Sequence, residues 1–252
     1  MTRIAITGAN GKMGGVIARL ISERDDCVVC GGIDINDTPN GQFPIVKKPF
    51  DLPEKPDVII DFSHPSALPD LISYCTMNNV PLVAATTGYS KEEIEEIKKT
   101  AAQIPIFFTF NMSLGINLLV ELGKKAVNVL GNSFDIEIVE KHHNLKKDAP
   151  SGTAIMIAEA LNNELGNKMT YVYDRHNVRR AREANEIGMH AIRGGTIVGE
   201  HDIIFAGHDE VITLSHSAAS KEVFAAGSIN AAIFLAGKDK GLYDMSDLLK
   251  EA

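Results

Sequence analysis

Gly8-Ala9-Asn10-Gly11-Lys12-Met13-Gly14 lies between the apolar strand pattern Arg3-Ile4-Ala5-Ile6-Thr7 and a helical stripe of Met13, Val16, Ile17, Leu20 and Ile21. Glycines between a strand and a helix permit a tight turn and let backbone approach a pyrophosphate. The helix start then stabilises the negative charge. The spacing is G-x-x-G-x-x-G, not the commoner G-x-G-x-x-G. Its position after a strand and before a helix gives the motif its weight; the alternative is an ordinary βα turn.

The first third continues to alternate strand and helix. Cys27 to Ile33 reads as a second strand and Val58 to Phe62 as a third. The latter is nearly all apolar, as expected of a strand buried on both faces. Pro65 to Asn78 is a helix, Leu82 to Ala85 a strand, Lys91 to Gln103 a helix and Ile106 to Phe108 a strand. This alternation predicts an α/β fold with a doubly wound parallel sheet. The middle differs. A helix at Ile116 to Leu130 precedes a strand at Asp135 to Glu140 and a helix beginning at Ser151. Strand-like runs follow at Glu186 to Arg193, His201 to Phe205 and Glu210 to His216, the last two reading as antiparallel neighbours. Runs of strands argue a separate α+β unit. Glu222 to Ala236 is an Ala-rich helix. Asn167 to Asn185, with Arg175, Arg179, Arg180 and Arg182, lacks apolar periodicity and reads as a solvated loop or exposed helix.

Asp34 follows the second strand about 20 residues beyond the glycine turn, where a carboxylate accepts hydrogen bonds from ribose hydroxyls. It also repels a 2′-phosphate, and Ile35 stands where an Arg would help bind one. The pair favours NADH over NADPH, although Lys12 and Lys47 are cations within reach of such a phosphate. Ala85-Thr86-Thr87-Gly88 and Thr109-Phe110-Asn111-Met112 both end strands. Open α/β sheets bind ligands beyond those ends, so these residues are candidates for ribose and nicotinamide contacts. For each alone, a turn or helix cap is the equal alternative.

Glu140-Lys141-His142-His143-Asn144-Leu145-Lys146-Lys147-Asp148-Ala149-Pro150-Ser151-Gly152-Thr153 gathers two imidazoles, a group of ammonium cations and a helix start. Histidine is the side chain that changes charge near neutral pH unaided. Ser151-Gly152-Thr153 before an apolar run offers backbone N–H groups to an anion. Such a block suits a small carboxylate that must be protonated. Two surface histidines after a strand are the plain alternative. Zinc fits poorly, because no Cys or third His stands at ligand spacing and Lys146 would repel a cation.

The 252 residues carry a formal net charge of −8 with no basic stripe, which argues against a nucleic-acid partner. No apolar run nears the roughly 20 residues that span a bilayer. The N-terminus runs directly into a strand, so we expect no signal peptide and cytoplasmic residence. Three cysteines make no disulfide framework. Cys27 and Cys30 have redox-motif spacing, but on a strand residues three apart point to opposite faces. Cys75 reads as helix filler.

The chain resembles the dihydrodipicolinate reductase family from residue 3 to about residue 249. The resemblance is carried by Gly8 to Gly14, Asp61-Phe62-Ser63, Thr86-Thr87-Gly88 and Asn111-Met112-Ser113. Further matches are Arg193-Gly194-Gly195, Gly199-Glu200-His201 and Gly241-Leu242-Tyr243-Asp244-Met245. The block from Glu140 to Thr153 is the most specific. The resemblance implies a Rossmann-like dinucleotide-binding domain, residues 1–113 with 222–252, and an inserted domain, residues 114–221, for substrate binding and homotetramer assembly. It implies reduction of a cyclic dicarboxylate by NADH or NADPH in lysine and diaminopimelate synthesis. It makes His142 the general acid/base and Lys146 the proton donor. His143, Lys146, Ser151, Gly152 and Thr153 would bind substrate carboxylates. Gly8, Ala9, Asn10, Gly11, Lys12, Met13, Asp34, Ala85, Thr86, Thr87, Thr109, Phe110, Asn111 and Met112 are the cofactor candidates, and no metal is expected. Ile35, Ala85 and Lys221 depart from residues common in the family; the first bears on cofactor preference. Two rivals remain open: another nicotinamide-dependent reductase of a small acid, and an NAD(H)-binding protein without turnover.

Overall fold

The computed structural model describes residues 1–251 apart from 40, 174, 177 and 178. The chain divides into two compact units, Met1–Leu114 with Glu222–Ala252, and Gly115–Lys221. Ala252, at the end of the expected first domain, lies outside the described residues.

Period-two burial builds the first unit. β1 (Thr2–Thr7) sends Ile4 and Ile6 to one face of the sheet and Ala5 to the other. β4 (Val58–Asp61) does the same with Val58 and Ile60 against Ile59. All these residues are fully buried, so both sheet faces are covered. β2 (Cys27–Ile33), β3 (Ile45–Val46), β5 (Leu82–Ala84), β6 (Pro105–Phe108) and β12 (Gly241–Tyr243) complete a seven-stranded sheet in the order β12-β6-β5-β4-β1-β2-β3. Every pairing is parallel. α1 (Lys12–Ser22), α6 (Glu222–Leu235) and α7 (Met245–Glu251) cover one face; α2 (Leu68–Asn78) and α3 (Lys91–Thr100) cover the other. The α/β doubly wound architecture read from the sequence is therefore present. Cys27 belongs to one core and Cys30 to the other, and burial pushes both thiols up to about 11, the opposite of a redox pair.

The second unit holds β7 (Asp135–His142), β8 (Thr170–Val172), β9 (Glu186–Arg193), β10 (Gly199–Ala206) and β11 (Val211–Ala218). They form a mixed sheet in the order β11-β10-β7-β9-β8. β10 and β11 pair antiparallel with Ile203 opposite Leu214, as their patterns predict. α4 (Leu114–Leu130) and α5 (Gly152–Glu164) bury Leu119, Val127, Ile157 and Leu161 against Ile136, Ile138, Met189, Ile203 and Phe205. No helix among the described residues is long and apolar enough to cross a membrane.

The charged segment 167–185 is in part the exposed loop its sequence reads, but it is tied down at several points. Thr170–Val172 pairs in parallel with β9. Arg175 bonds Glu186 at 2.6 Å and Glu137 at 3.2 Å. Arg182 bonds Asp135 at 2.7 Å and Glu137 at 3.0 Å. The arginines clamp the segment to carboxylates on β7 and β9, an arrangement invisible to apolar periodicity. Residues 174, 177 and 178 of it lie outside the described residues.

α6 is apolar on nearly all sides and comes very close to the chain after β6. A Cβ on Gly227 would stand 1.7 Å from the Met112 carbonyl oxygen. We therefore expect Gly227→Ala to lower the unfolding free energy by about 1–3 kcal/mol through overpacking. Gly15 in α1 has open space around it, and Gly15→Ala should instead leave stability equal or raised. Urea denaturation of both variants checks the opposite signs.

Candidate active site

The dinucleotide candidates follow the carboxyl ends of parallel strands. After β1 the chain turns at Gly8, whose φ of +77° lies in the left-handed region that glycine adopts without strain. Gly11 N–H donates to the Gly8 carbonyl at 2.9 Å and closes the turn. A Cβ on Gly14 would lie 2.3 Å from that same carbonyl oxygen, so only glycine fits. α1 then starts with Gly11 as its cap, no side-chain capping bond and no acidic residue in its first turn. That helix start suits a pyrophosphate, because no carboxylate competes for the first-turn N–H groups.

Asp34 stands just past β2. Its carboxylate accepts from Asn10 N–H at 2.9 Å and Asn36 N–H at 3.0 Å, which fixes it beside the glycine turn. Ile35 is 93% exposed. Lys12 is exposed, while Met13 packs on the core. The remaining candidates follow β5 and β6, which are neighbours. Ala85 is buried and Thr87 exposed. The Thr86 hydroxyl points inward, donating to Asp61 and accepting from Ser63 N–H, both at 2.9 Å. Thr109 accepts from Asn111 N–H at 3.3 Å, and Asn111 accepts from Ser113 N–H at 2.8 Å. The exposed Phe110 ring meets Phe108 at 5.4 Å. Met112 places its side chain in the core under α6.

Asp61 anchors these loops. Its buried carboxylate accepts from the Ser63 hydroxyl at 2.5 Å, and from Thr86 and Tyr89 at 2.9 Å each. Burial pushes its carboxyl up, against the pull of those donors.

In the second unit, alternation along β7 puts Ile136, Ile138, Glu140 and His142 on one face. The row begins in the apolar core and ends in a carboxylate and an imidazole. Glu140 is buried, with Oε2 2.7 Å from His142 Nδ1. Arg193 from β9 grips both carboxylate oxygens at 2.7 Å. Oε1 also accepts from Ser151 N–H at 3.0 Å, at the start of α5. Burial alone would push the Glu140 carboxyl up; the bonds from Arg193, His142 and Ser151 outweigh it and hold the carboxyl below the ordinary range. A Cβ on Gly199 would come within 3.2 Å of His142 Nε2, so the glycine leaves that nitrogen uncrowded.

The predicted substrate residues surround this point. Ser151 caps α5 by accepting from Ala154 N–H at 3.2 Å, and its hydroxyl meets His201 Nε2 at 3.2 Å. The hydroxyl is thus turned into the protein, while at the helix start Gly152 is exposed and Thr153 half-buried. His143 Nδ1 is buried with no hydrogen-bond partner among the described residues. Lys146 bonds Asp148 at 2.9 Å and holds that carboxyl below its usual range.

Sequence reasoning gave no role to Glu140, Arg193 or His201. The first had a signal: it lies two residues before His142 on a strand, hence on the same face. Arg193 and His201 come from other strands, and only the register opposite His142 and Glu140 joins them. His201 packs edge-on against His142 at 5.3 Å. Burial, then the proximity of His142, lowers its pKa to about 4.

A buried neutral histidine makes stability depend on pH. The unfolded chain binds the proton near pH 6.5 and the folded chain only near 4. The contribution of His201 is complete above 6.5 and is lost as pH falls through this window. It amounts to about 3 kcal/mol. His216, lowered by burial, acts with the same sign. Urea unfolding across this range should show the loss, and His201→Gln should flatten most of it.

Comparison with known proteins identifies the family. The family model for dihydrodipicolinate reductase, N-terminus, matches residues 2–112, and that for dihydrodipicolinate reductase, C-terminus, matches residues 115–249. The chain is 53% identical over 251 residues to 4-hydroxy-tetrahydrodipicolinate reductase of Caldanaerobacter subterraneus subsp. tengcongensis, covering 100% of this chain and 99% of that one. It is 47% identical to the Clostridium tetani enzyme of the same name, covering 99% and 97%. The solved structure of dipicolinate-bound dihydrodipicolinate reductase from Paenisporosarcina sp. TG-14 matches with a TM-score of 0.81 at 25% identity over 97% of each chain. With both units matched by their own family models and relatives aligned end to end, the chain belongs to the dihydrodipicolinate reductase family.

Proposed function

We propose that the protein reduces 4-hydroxy-tetrahydrodipicolinate to tetrahydrodipicolinate with a nicotinamide dinucleotide, a step of lysine and diaminopimelate synthesis. The observation that carries this reading is the link through Glu140, which bonds both His142 and the backbone at the start of α5. One carboxylate thereby ties a proton-transfer group to an anion-binding helix start.

The nicotinamide, when bound, supplies hydride to the substrate ring. The turn from Gly8 through Ala9, Asn10, Gly11 and Lys12 to Met13 holds the pyrophosphate at α1, and Asp34 accepts from the ribose. Ala85, Thr86 and Thr87, with Thr109, Phe110, Asn111 and the Met112 backbone, line the remainder. His143, Lys146 and the Ser151-Gly152-Thr153 helix start bind the two substrate carboxylates and so orient the ring. The substrate's 4-hydroxyl leaves as water to give the conjugated C=C–C=N ring, and reduction of that ring leaves negative charge that a proton must quench. His142 serves as general acid/base at Nε2, and Lys146 donates a proton or stabilises the charge. Asp34 and Ile35 make NADH the favoured nucleotide. A cytoplasmic homotetramer completes the reading: all three cysteines are free, buried thiols, and β11 is an eight-residue edge strand with Val211 63% exposed.

The test is a coupled assay. Aspartate semialdehyde and pyruvate, with the preceding synthase, generate the substrate, and the nicotinamide absorbance reports turnover. Activity is expected with both nucleotides, with kcat/KM for NADH at least equal to that for NADPH. No turnover with either rejects the function, and a hundredfold NADPH advantage rejects the preference. His142→Gln should lower kcat by about 10²–10⁴-fold with dinucleotide affinity unchanged. Lys146→Ala should lower kcat and raise KM, since it both binds and protonates.

A further inference from the structure

We propose that Glu140 is the positioning residue of this site. It fixes His142 in the tautomer that carries hydrogen on Nδ1 and keeps Nε2 as the nitrogen that exchanges protons with substrate. The proposal deepens the function above and rests on His142 being its acid/base.

The geometry requires it. An ionised carboxylate can only accept hydrogen bonds. Glu140 is kept ionised by Arg193, which donates to each oxygen at 2.7 Å, and by Ser151 N–H. His142 Nδ1, 2.7 Å from Oε2, must therefore donate. Nε2 lies on the other side of the ring, where a Cβ on Gly199 would come within 3.2 Å of it. His201, the other imidazole packed on this ring, is neutral through the working range and places no charge against an imidazolium. Arg193 is itself held, donating to the Asp148 carbonyl at 2.6 Å in the loop that carries Lys146.

The same contacts predict what an isosteric change does. At the Oε2 position only Arg193 Nη1 needs an acceptor beside His142, whereas Ser151 N–H and Arg193 Nη2 both need one at the Oε1 position. In Glu140→Gln the amide oxygen goes there, and the NH₂ group lands opposite His142 Nδ1. The amide then donates to Nδ1, and the neutral ring moves its hydrogen to Nε2. A template for this loss exists in the serine-protease triad, where replacing the orienting Asp by Asn leaves the geometry intact but costs about 10⁴ in kcat.

The experiment reads the tautomer directly. Two-bond ¹⁵N–¹H correlation on the intact, histidine-labelled protein assigns the neutral His142 signal by its disappearance in His142→Gln. The expected wild-type signal has hydrogen on Nδ1; hydrogen on Nε2 overturns the proposal with no variant of Glu140 needed. Glu140→Gln should flip the tautomer and lower kcat by about 10²-fold while dinucleotide Kd stays constant. Glu140→Asp keeps a carboxylate and should recover part of the rate and the wild-type tautomer. Equal loss in both variants with an unchanged tautomer would mean a merely structural carboxylate and also overturns the proposal. Absence of turnover in the wild type would instead sink the function, whatever the tautomer.

Discussion

A carboxylate with almost no solvent exposure sits where the inner face of the second sheet runs out of apolar residues. Taking such a charge from water costs several kcal/mol unless it is paired and its lone pairs are filled. Glu140 meets both conditions, through a two-pronged Arg193 contact, one imidazole N–H and one backbone N–H. Those partners come from β7, β9 and the cap residue of α5. Satisfying one buried ion therefore fixes three pieces of backbone against each other. Removing Arg193 alone would leave an uncompensated charge, whereas apolar replacement of the whole set would cost far less. The group is better understood as organising the site than as stabilising the fold.

Much of the framework was legible in the sequence. Cys27–Ile33 and Glu186–Arg193 are strands with the bounds their residues predict, because β-branched runs and Gly-rich turns delimit them. The glycine turn was legible because it needs a residue type that nothing else replaces. β3, β8 and β12 were not, since each has only two or three residues and no alternation to detect. The helix read over 91–103 stops at Thr100, after which the chain continues as a turn. The ties that hold the charged segment before β9 were missed for another reason. The segment is held by arginine–carboxylate pairs, most of them across 38 to 47 residues, and a local pattern carries no trace of them.

The site divides along the same line. His142, His143, Lys146 and Ser151 were legible as candidates because they stand close together in one short block. Glu140 stood within the same block, yet its role needed the strand period and a partner 53 residues away. Met112 went the other way: it follows a strand end, where ligands bind, but α6 returns from the far end of the chain and covers its side chain. Position relative to a strand end locates a loop; it does not say which side chains of the loop face outward. Thr86 teaches the same, with its hydroxyl committed to Asp61.

Asp61 in the first unit and Glu140 in the second are both buried carboxylates that fasten loops, and comparing the two shows what the arginine does. Asp61 is held by hydroxyl donors and one backbone N–H, and burial drives its carboxyl up. Glu140 has a guanidinium on both oxygens, and its carboxyl goes down despite its own burial. Hydroxyl partners can reverse their donor and acceptor roles if a proton arrives, so Asp61 tolerates either state as a structural tie. A partner imposes a tautomer only while it remains an acceptor. The cation beside Glu140 keeps it one, which is why this carboxylate, and not Asp61, can set where a neighbouring histidine carries its hydrogen.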